Sequence, residues 1–378
     1  MSGATLEVLM VSSSYPSDEA DWRGIFIRNL TWALSRQTQL RLTTWCPPGP
    51  MPANVRYAAT PSESRWLEGL ARGGGIAHAI RQSPVKGALQ GLGLMRRIRA
   101  VYGRESQAEL VHANWLQLAL PLGRRGCPLV ATVLGTDYRM LALPGMVSAL
   151  RRVFGSGPTV LAPNAEWMAP GLSRHFGDVA RIIPVPFGIE EAYFAIARRP
   201  ASPPAWLCVS RLTKAKLGDL LTWARPHFEG QARELHLFGP MQESLILPDW
   251  IHYHGPATQA QLLRDWFPVA SGLISLSRHP EGRPQVMIEA MAAGLPILAS
   301  DLPAHVELIE PHGAGAICRN PEELGTLLGA LESDEGLRAG ALAREAARRM
   351  YGTWDDCAGR FAAIYRDLSV QRAAHSAR

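Results

Sequence analysis

The sequence predicts an α/β protein built from two similar halves. Three observations carry that expectation. Short apolar runs alternate with amphipathic stretches along all 378 residues, the pattern of strands followed by crossover helices. The chain is too long for one ordinary core and natural for two domains. A proline-rich stretch without periodicity, residues 198–204, interrupts the alternation near the middle.

In the first half, strands are expected at 6–12, 40–45, 110–114, 129–134, 159–162 and 181–185. In the second they are expected at 206–210, 234–238, 251–254, 272–277, 296–299 and 315–318. Helices are expected in the gaps, among them 25–36, 85–102, 217–224 and 321–331. The final stretch, 354–368, has apolar residues at helical spacing. Gly73, Gly74 and Gly75 mark a flexible loop.

Composition narrows the class. With 47% hydrophobic and 19% charged residues the chain has the make-up of a soluble globular protein. No run approaches a transmembrane span. Glu7 interrupts the opening apolar run and no basic segment precedes it, so a signal peptide is not expected. Cys46, Cys127, Cys208, Cys318 and Cys357 are scattered, odd in number and without a Cys-x-x-Cys pair, which indicates neither zinc nor a disulfide framework. A cytoplasmic protein is expected. The net charge of +6 is carried by arginine, a bias that proves nothing alone. Lysine occurs only at 86, 214 and 216, so two of three fall within three residues.

The most informative feature is the pair Glu281 and Glu289 in the run 280–296. An apolar strand ends just before it, the chain turns through Gly282 and Pro284, and a helix is expected from about Gln285 until Gly294 stops it. Glu281 then lies in a loop at a strand's carboxyl end and Glu289 one to two turns into the helix. Both can face the crevice where open α/β sheets bind ligands. The helix start offers free N–H groups to phosphate. Carboxylates on either side of an anion site suit hydroxyls at both ends of a ligand with phosphate between, the layout of a nucleotide sugar. The second half also opens with a strand that delivers Arg211 and Lys216 into a loop. Fixed cations there suit a diphosphate leaving group, whose charge grows as the glycosidic bond breaks. The bland alternative for that segment alone is a solvated basic turn.

Taken together these residues resemble family 4 of the retaining GT-B glycosyltransferases, which use nucleotide-sugar donors. The Glu-x7-Glu pattern is Glu281 and Glu289, followed by Ala290 to Pro296 and by Ala299-Ser300-Asp301. The Arg-Leu-x-x-x-Lys pattern is Arg211, Leu212 and Lys216. Looser echoes are Phe238-Gly239-Pro240, His254-Gly255, Pro186 to Glu190 and Ser14 to Ser17. The match spans nearly the whole chain. It implies two Rossmann-like domains facing a central cleft: residues 1–197 binding acceptor, residues 198–350 binding donor, and 351–378 as a helix crossing back to the first domain.

The resemblance also implies roles by position. Glu281 contacts the donor sugar, Glu289 the ribose hydroxyls, and Arg211 and Lys216 neutralise the diphosphate. Gly282 lets backbone amides approach the phosphates, and Gly24 lies under the diphosphate from the other domain. Arg283, Pro284 and Gln285 complete the donor loop, with Arg283 and Gln285 tuning sugar choice. No Asp-x-Asp triplet occurs, and neither metal nor another cofactor is expected. Retention implies a front-face reaction in which the leaving phosphate helps deprotonate the acceptor hydroxyl.

Departures from the pattern matter. Many relatives carry Glu-Gly-Phe-Gly-Leu where this chain has Glu281-Gly282-Arg283-Pro284-Gln285. Pro284 lacks an N–H, and Arg283 either compensates with its own donors or is solvated. Leu134 replaces a histidine common in relatives, which fits either a 6-deoxy donor sugar or packing drift.

Other residues stay open. His112 ends a strand and contacts acceptor or sugar, or is structural. Asp137 binds acceptor or caps the next turn. Asn164 and Glu166 are equally ambiguous. The stretch 85–104 sets Lys86, Arg96, Arg97, Arg99 and Arg104 among apolar residues, which suits either anionic lipid or a surface helix packed on its own sheet. Nucleic-acid binding is not expected, since no stacking platform or recognised module accompanies the charge. The sequence Asp-Glu-Ala-Asp at 18–21 has no P-loop with it and is accidental.

The resulting expectation is transfer of a sugar, with retention, to a glycan or lipid-linked glycan of the cell surface, by a protein peripheral at the inner face of the plasma membrane. An inactive scaffold of a biosynthetic complex and a nucleotide-sugar epimerase are the alternatives.

Overall fold

The computed structural model describes residues 5–376 apart from 20, 77, 78 and 80–82. The chain divides into two compact units, Met1–Pro186 with Trp354–Arg378, and Phe187–Thr353.

The first unit is a seven-stranded sheet, every pair parallel, in the order β3-β2-β1-β4-β5-β6-β7. Its strands are β1 (Leu6–Val11), β2 (Leu40–Trp45), β3 (Arg56–Tyr57), β4 (Leu110–Asn114), β5 (Leu129–Val133), β6 (Thr159–Pro163) and β7 (Arg181–Ile182). Every residue of β4, β5 and β6 is buried, as in a parallel sheet covered on both faces. The helix Trp354–Ser376 belongs to this unit and packs on the helix Ile25–Ser35. It is held by the Tyr365 hydroxyl, 2.6 Å from His112 Nδ1, and by an Arg181–Asp367 ion pair.

The second unit is a six-stranded parallel sheet in the order β10-β9-β8-β11-β12-β13. Its strands are β8 (Ala205–Val209), β9 (Glu234–Phe238), β10 (Ile251–Tyr253), β11 (Gly272–Ser275), β12 (Ile297–Ser300) and β13 (Gly315–Cys318). The period of two along a strand builds two cores from one sheet. Leu207, Phe238, Leu273 and Ile297 pack on one face, while Trp206, Leu237, Ile274 and Leu298 pack on the other.

Three differences from the sequence expectation have physical causes. The boundary falls at Pro186–Phe187, ahead of the proline-rich stretch, because Ile189, Tyr193, Phe194 and Ile196 are buried in the second unit's core. The helix expected at 217–224 is two helices, Lys214–Leu217 and Leu220–Phe228, broken at Gly218 with φ 55°. The edge strand β3 is two residues long and left no alternation to read. Among the described residues no helix is long and apolar enough to cross a membrane.

Candidate functional site

In each sheet the strand order reverses once, between β1 and β4 in the first and between β8 and β11 in the second. Loops leaving the carboxyl ends on either side of such a point diverge and open a crevice. In the second unit those loops carry the residues singled out by sequence. After β8 comes Arg211, half-buried, then Thr213, whose hydroxyl accepts from Lys216 N–H at 3.2 Å and caps the short helix Lys214–Leu217. After β11 comes Glu281.

Gly218 lets the two loops meet. A Cβ there would lie 2.0 Å from the Leu276 carbonyl oxygen, and its φ of 55° is in the left-handed region. Ala215 and Leu276 carbonyls accept from Arg278 and Asp219 N–H groups at 2.9 and 3.2 Å. Arg278 also forks onto the Asp219 carboxylate at 2.7 and 2.5 Å. So pinned, Lys216 Nζ forms an ion pair with Glu281, their side chains only 12% and 15% exposed. Burial pulls the Lys216 ammonium below its ordinary range, and Glu281 opposes the shift. The pair lines a cavity of about 170 Å³ together with Ser210, Ser275, Pro284 and Gln285.

Glu289 does not line that cavity. Its carboxylate, 5% exposed, accepts from Gln259 Nε2 at 3.0 Å, and burial pushes its pKa to about 8 against the attraction of Gln259 and Gln285. The Tyr193 hydroxyl lies within electrostatic reach but is buried without a hydrogen-bond partner. Gln285, whose Nε2 donates to the Gly188 carbonyl at 3.0 Å, belongs both to the cavity lining and to the surroundings of Glu289. Pro284 is the N-cap of the helix Gln285–Ala292, and the buried Gly282 precedes it.

Of the two alternatives left open for Arg283, donors toward the ligand or a solvated side chain, the structure excludes the solvated one. Arg283 is 4% exposed, ion-paired with Glu307 and stacked 4.8 Å over the Tyr351 ring. Its guanidinium is thereby turned to the protein, because a carboxylate 24 positions onward offers a partner that the local sequence did not reveal.

Sequence reasoning also missed His305. It is fully buried, its Nδ1 lies 3.0 Å from the Ser300 carbonyl, and its Nε2 has no partner. It feels the charges of Glu281 and Lys216. The Ser300 hydroxyl in turn donates to the Ser277 carbonyl at 2.6 Å, so one chain of contacts ties the ends of β12 and β11. No recognisable motif surrounds His305, and only the tertiary position of β12 could have found it. Among the described residues no group of three or more His, Cys, Asp or Glu is placed to hold a metal ion.

The candidates in the first unit resolve differently. His112 is fully buried between Tyr365 and Thr132, both contacts 2.6 Å, and burial lowers its pKa to about 3. That is the structural alternative. Asp137, 1% exposed, accepts backbone N–H groups of Leu116 at 3.0 Å and Leu134 at 2.8 Å, joining the loops after β4 and β5. Burial raises its pKa to about 6. Gly24, φ 70°, begins the helix Ile25–Ser35 and presses on Ser14, 2.6 Å from where a Cβ would stand. The stretch expected at 85–104 is the helix Pro84–Arg104. Leu94, Ile98 and Val101 are buried, while Val85, Leu89 and Leu92 are 64–71% exposed at i, i+4 and i+7.

Residues 203–334 match the family model of glycosyl transferases group 1. They span β8 through β13 and hold every residue of the cavity just described. Solved structures align over most of the chain. Sucrose-phosphate synthase from Thermosynechococcus elongatus does so with TM-score 0.66 and 15% identity, covering 96% of this chain and 99% of that one. Anabaena HepE in complex with UDP gives 0.65 and 12%, covering 96% and 100%. A glycosyltransferase from Rickettsia africae gives 0.64 and 14%, covering 96% and 98%. At these identities the likeness is one of fold: two parallel-sheet, Rossmann-like domains of the GT-B type. No curated protein sequence matches the chain.

Proposed function

We propose that the chain is a retaining glycosyltransferase. It moves a sugar from a nucleotide-sugar donor, held by the second unit, to a glycan or lipid-linked glycan acceptor in cell-surface polysaccharide or lipopolysaccharide assembly. One observation carries the reading: Lys216 and Glu281 meet across the switch point of the sheet that matches the glycosyl transferases group 1 model. UDP and UDP-glucose are bound by HepE, a structure of the same fold, which favours a nucleotide-sugar donor.

In this reading the bond between the sugar's C1 and the diphosphate oxygen breaks, and its electrons go to that oxygen. Arg211 and Lys216 stabilise the charge that gathers there. The acceptor oxygen bonds to C1 on the same face, and its proton passes to the departing phosphate. Glu281, released from Lys216 as the diphosphate takes over that cation, accepts hydroxyls of the sugar. Glu289 accepts the ribose hydroxyls. With two fixed cations at the leaving group, the reaction is expected to proceed in the presence of EDTA. The exposed stripe of Val85, Leu89 and Leu92, flanked by Lys86 and Arg96, fits an anionic lipid surface at which a lipid-linked acceptor is met.

A thermal-shift screen against UDP, GDP, dTDP, ADP and their sugar conjugates tests the donor. A ligand at about a hundred times its dissociation constant stabilises by roughly 2.7 kcal/mol, an easily seen shift. Silence across the panel removes the proposal. Cosedimentation with vesicles containing anionic lipid, weakened by Leu89→Glu, tests the membrane face; equal binding by the variant rejects it.

A further inference from the structure

We infer that the second unit holds a further anion site, a groove for a phosphate monoester with an apolar stem, at the opposite end of the helix Gln285–Ala292 from the Lys216–Glu281 cavity. The groove has a volume of about 640 Å³, and every residue lining it belongs to the second unit. Arg198, Arg344, Arg348 and Arg349 form its cationic wall, with Phe194 and the 56% exposed Leu337 as apolar counterparts. Pro284 and Gln285, at the start of the helix, line the Lys216–Glu281 cavity, whereas Gly294, just past its end, lines the groove. The eight residues between them make a rod about 12 Å long.

Arg198 and Arg344 carry charge that the protein leaves unmatched. Arg198 donates to the carbonyls of Gly294 at 2.7 Å, Ala270 at 2.5 Å and Ser271 at 3.2 Å. Arg344 donates from Nε to the Ala292 carbonyl at 3.1 Å, and from Nη2 to those of Ile196 and Ala293 at 2.8 and 2.6 Å. Its Nη1 reaches no protein acceptor among the described residues and is not enclosed. All these partners are neutral. Burial, joined at Arg198 by the charge of Arg344, pulls both guanidiniums below their ordinary range, Arg198 to about 10. The other two cations are balanced, Arg348 by Glu191 at 2.8 and 2.9 Å and Arg349 by Glu345 at 3.6 Å. A helix carboxyl end offers roughly half a negative charge, so two guanidiniums there leave a surplus of about +1.5. A phosphate monoester carries about −1.5 to −2 at neutral pH, which matches that surplus.

Two glycines bring these cations together. At Gly340 a Cβ would lie 2.1 Å from the Gly294 carbonyl oxygen, so a side chain there would push the helix Asp334–Met350 off the end of its neighbour. Gly294 has φ 75°, and a Cβ on it would stand 2.9 Å from Arg344 Nη2. Exposed ion pairs contribute little, so Glu191 and Glu345 release Arg348 and Arg349 to a bound phosphate at small cost. Guanidinium forks then engage its oxygens in pairs. The Arg348 guanidinium lies 3.8 Å over the Phe194 ring, which fixes its position on the wall. The volume is that of a site for a small organic ligand, which leaves Phe194 and Leu337 to an apolar stem. Capping the helix end accounts for the carbonyl contacts, but neither for two unmatched charges side by side nor for the idle Nη1.

The groove does not depend on the transferase reading, and the test keeps the two apart. The full chain carrying Lys216→Met, which weakens any phosphate binding in the donor cavity, is titrated calorimetrically with hexyl phosphate. Saturable binding is expected below about 1 mM. Ala341, exposed on the groove wall, is replaced to place a carboxylate among the arginines. Ala341→Glu is expected to weaken hexyl phosphate about ten-fold or more, with the melting temperature little changed, while the neutral Ala341→Gln stays within about three-fold. Sedimentation with vesicles of phosphatidic acid in phosphatidylcholine, on the chain also carrying Leu89→Glu, separates the two sources of such a phosphate. Pelleting that Ala341→Glu abolishes assigns a lipid headgroup, and hexyl phosphate binding without pelleting assigns a soluble monoester. Nucleotide-induced thermal shifts are read on the chain with Ala341→Glu alone and are expected to match those of the wild type. Hexyl phosphate bound in this pattern without any nucleotide shift keeps the groove and removes the transferase. No binding up to about 10 mM, or equal binding by Ala341→Glu, overturns the groove.

Discussion

The two sheets share a strand order and a switch point, yet their carboxyl edges are built from opposite chemistry. Around β8 and β11 the loops carry ion pairs, Lys216–Glu281, Arg278–Asp219 and Arg283–Glu307, interlocked by backbone hydrogen bonds. Around β4, β5 and β6 the buried polar groups include the amides of Asn114 and Asn164, and the buried carboxylate, Asp137, is committed to backbone N–H groups. One scaffold therefore carries an edge of ion pairs and an edge of buried amides. The fold supplies the position, and the loops alone decide the chemistry.

The sharpest way to break that contrast is to remove the cation of the charged edge. Lys216→Met keeps the stem and deletes the ammonium opposite Glu281. Loss of one preorganised group at a developing charge lowers turnover about 10²–10³-fold. Transfer and donor hydrolysis should fall together. A change under about three-fold in turnover removes Lys216 from the chemistry.

The second test uses pH. Glu289 titrates at about 8 in the folded protein against an ordinary 4.5. A folded-state pKa raised in this way means the native state binds more protons, so the contribution is present below pH 4.5 and is lost as pH rises through about 8. Wild-type stability should fall across that window by a few kcal/mol, from about 1.4 kcal/mol per pH unit between the two values. Glu289→Gln, which keeps an oxygen for Gln259, should flatten the profile and stabilise the protein at pH 9 while weakening nucleotide binding. Parallel melting curves for the two proteins from pH 5 to 9 eliminate the buried, protonated Glu289.

How much of this contrast the sequence displayed follows from how local each determinant is. Glu281, Lys216 and the strands that deliver them were legible, because the spacing and the residues flanking each lie within a dozen positions. The alternation of runs likewise gave the parallel sheets, since residues buried on both faces are apolar regardless of partners. Arg283 was not legible: its direction depends on Glu307 and Tyr351, which only the fold brings near. The Gly218 break looked like helix interior, because a glycine's sequence does not disclose a left-handed φ. Trp115, Asn114 and Asn164 carried no motif at all. Their character lies in the positive φ of Trp115 and in two unmatched side-chain oxygens, quantities that exist only after folding.

On the neutral edge, the packing behind Tyr138 offers a smaller perturbation. Gly171, in the helix Ala169–Phe176, leaves no room for a side chain, since a Cβ would stand 1.9 Å from the Tyr138 hydroxyl. Gly171→Ala should cost about 1–3 kcal/mol of stability by overpacking. It should also move the Tyr138–Trp167 pair, seen as altered near-ultraviolet circular dichroism, with nucleotide binding intact. An unchanged near-ultraviolet spectrum after a clear loss of stability would mean that Gly171 does not set the position of that pair.

Salt gives the gentlest discrimination and needs no mutation. Screening shortens from about 10 Å at 0.1 M to about 3 Å at 1 M ionic strength, so an anionic ligand held by cations weakens as salt rises. Nucleotide affinity should fall several-fold over that range. Part of the attraction survives because Lys216 is largely buried, and buried charges are screened least. A nucleotide affinity that stays constant over that range would mean that Arg211 and Lys216 do not hold the diphosphate, and the charged edge would lose its assigned role.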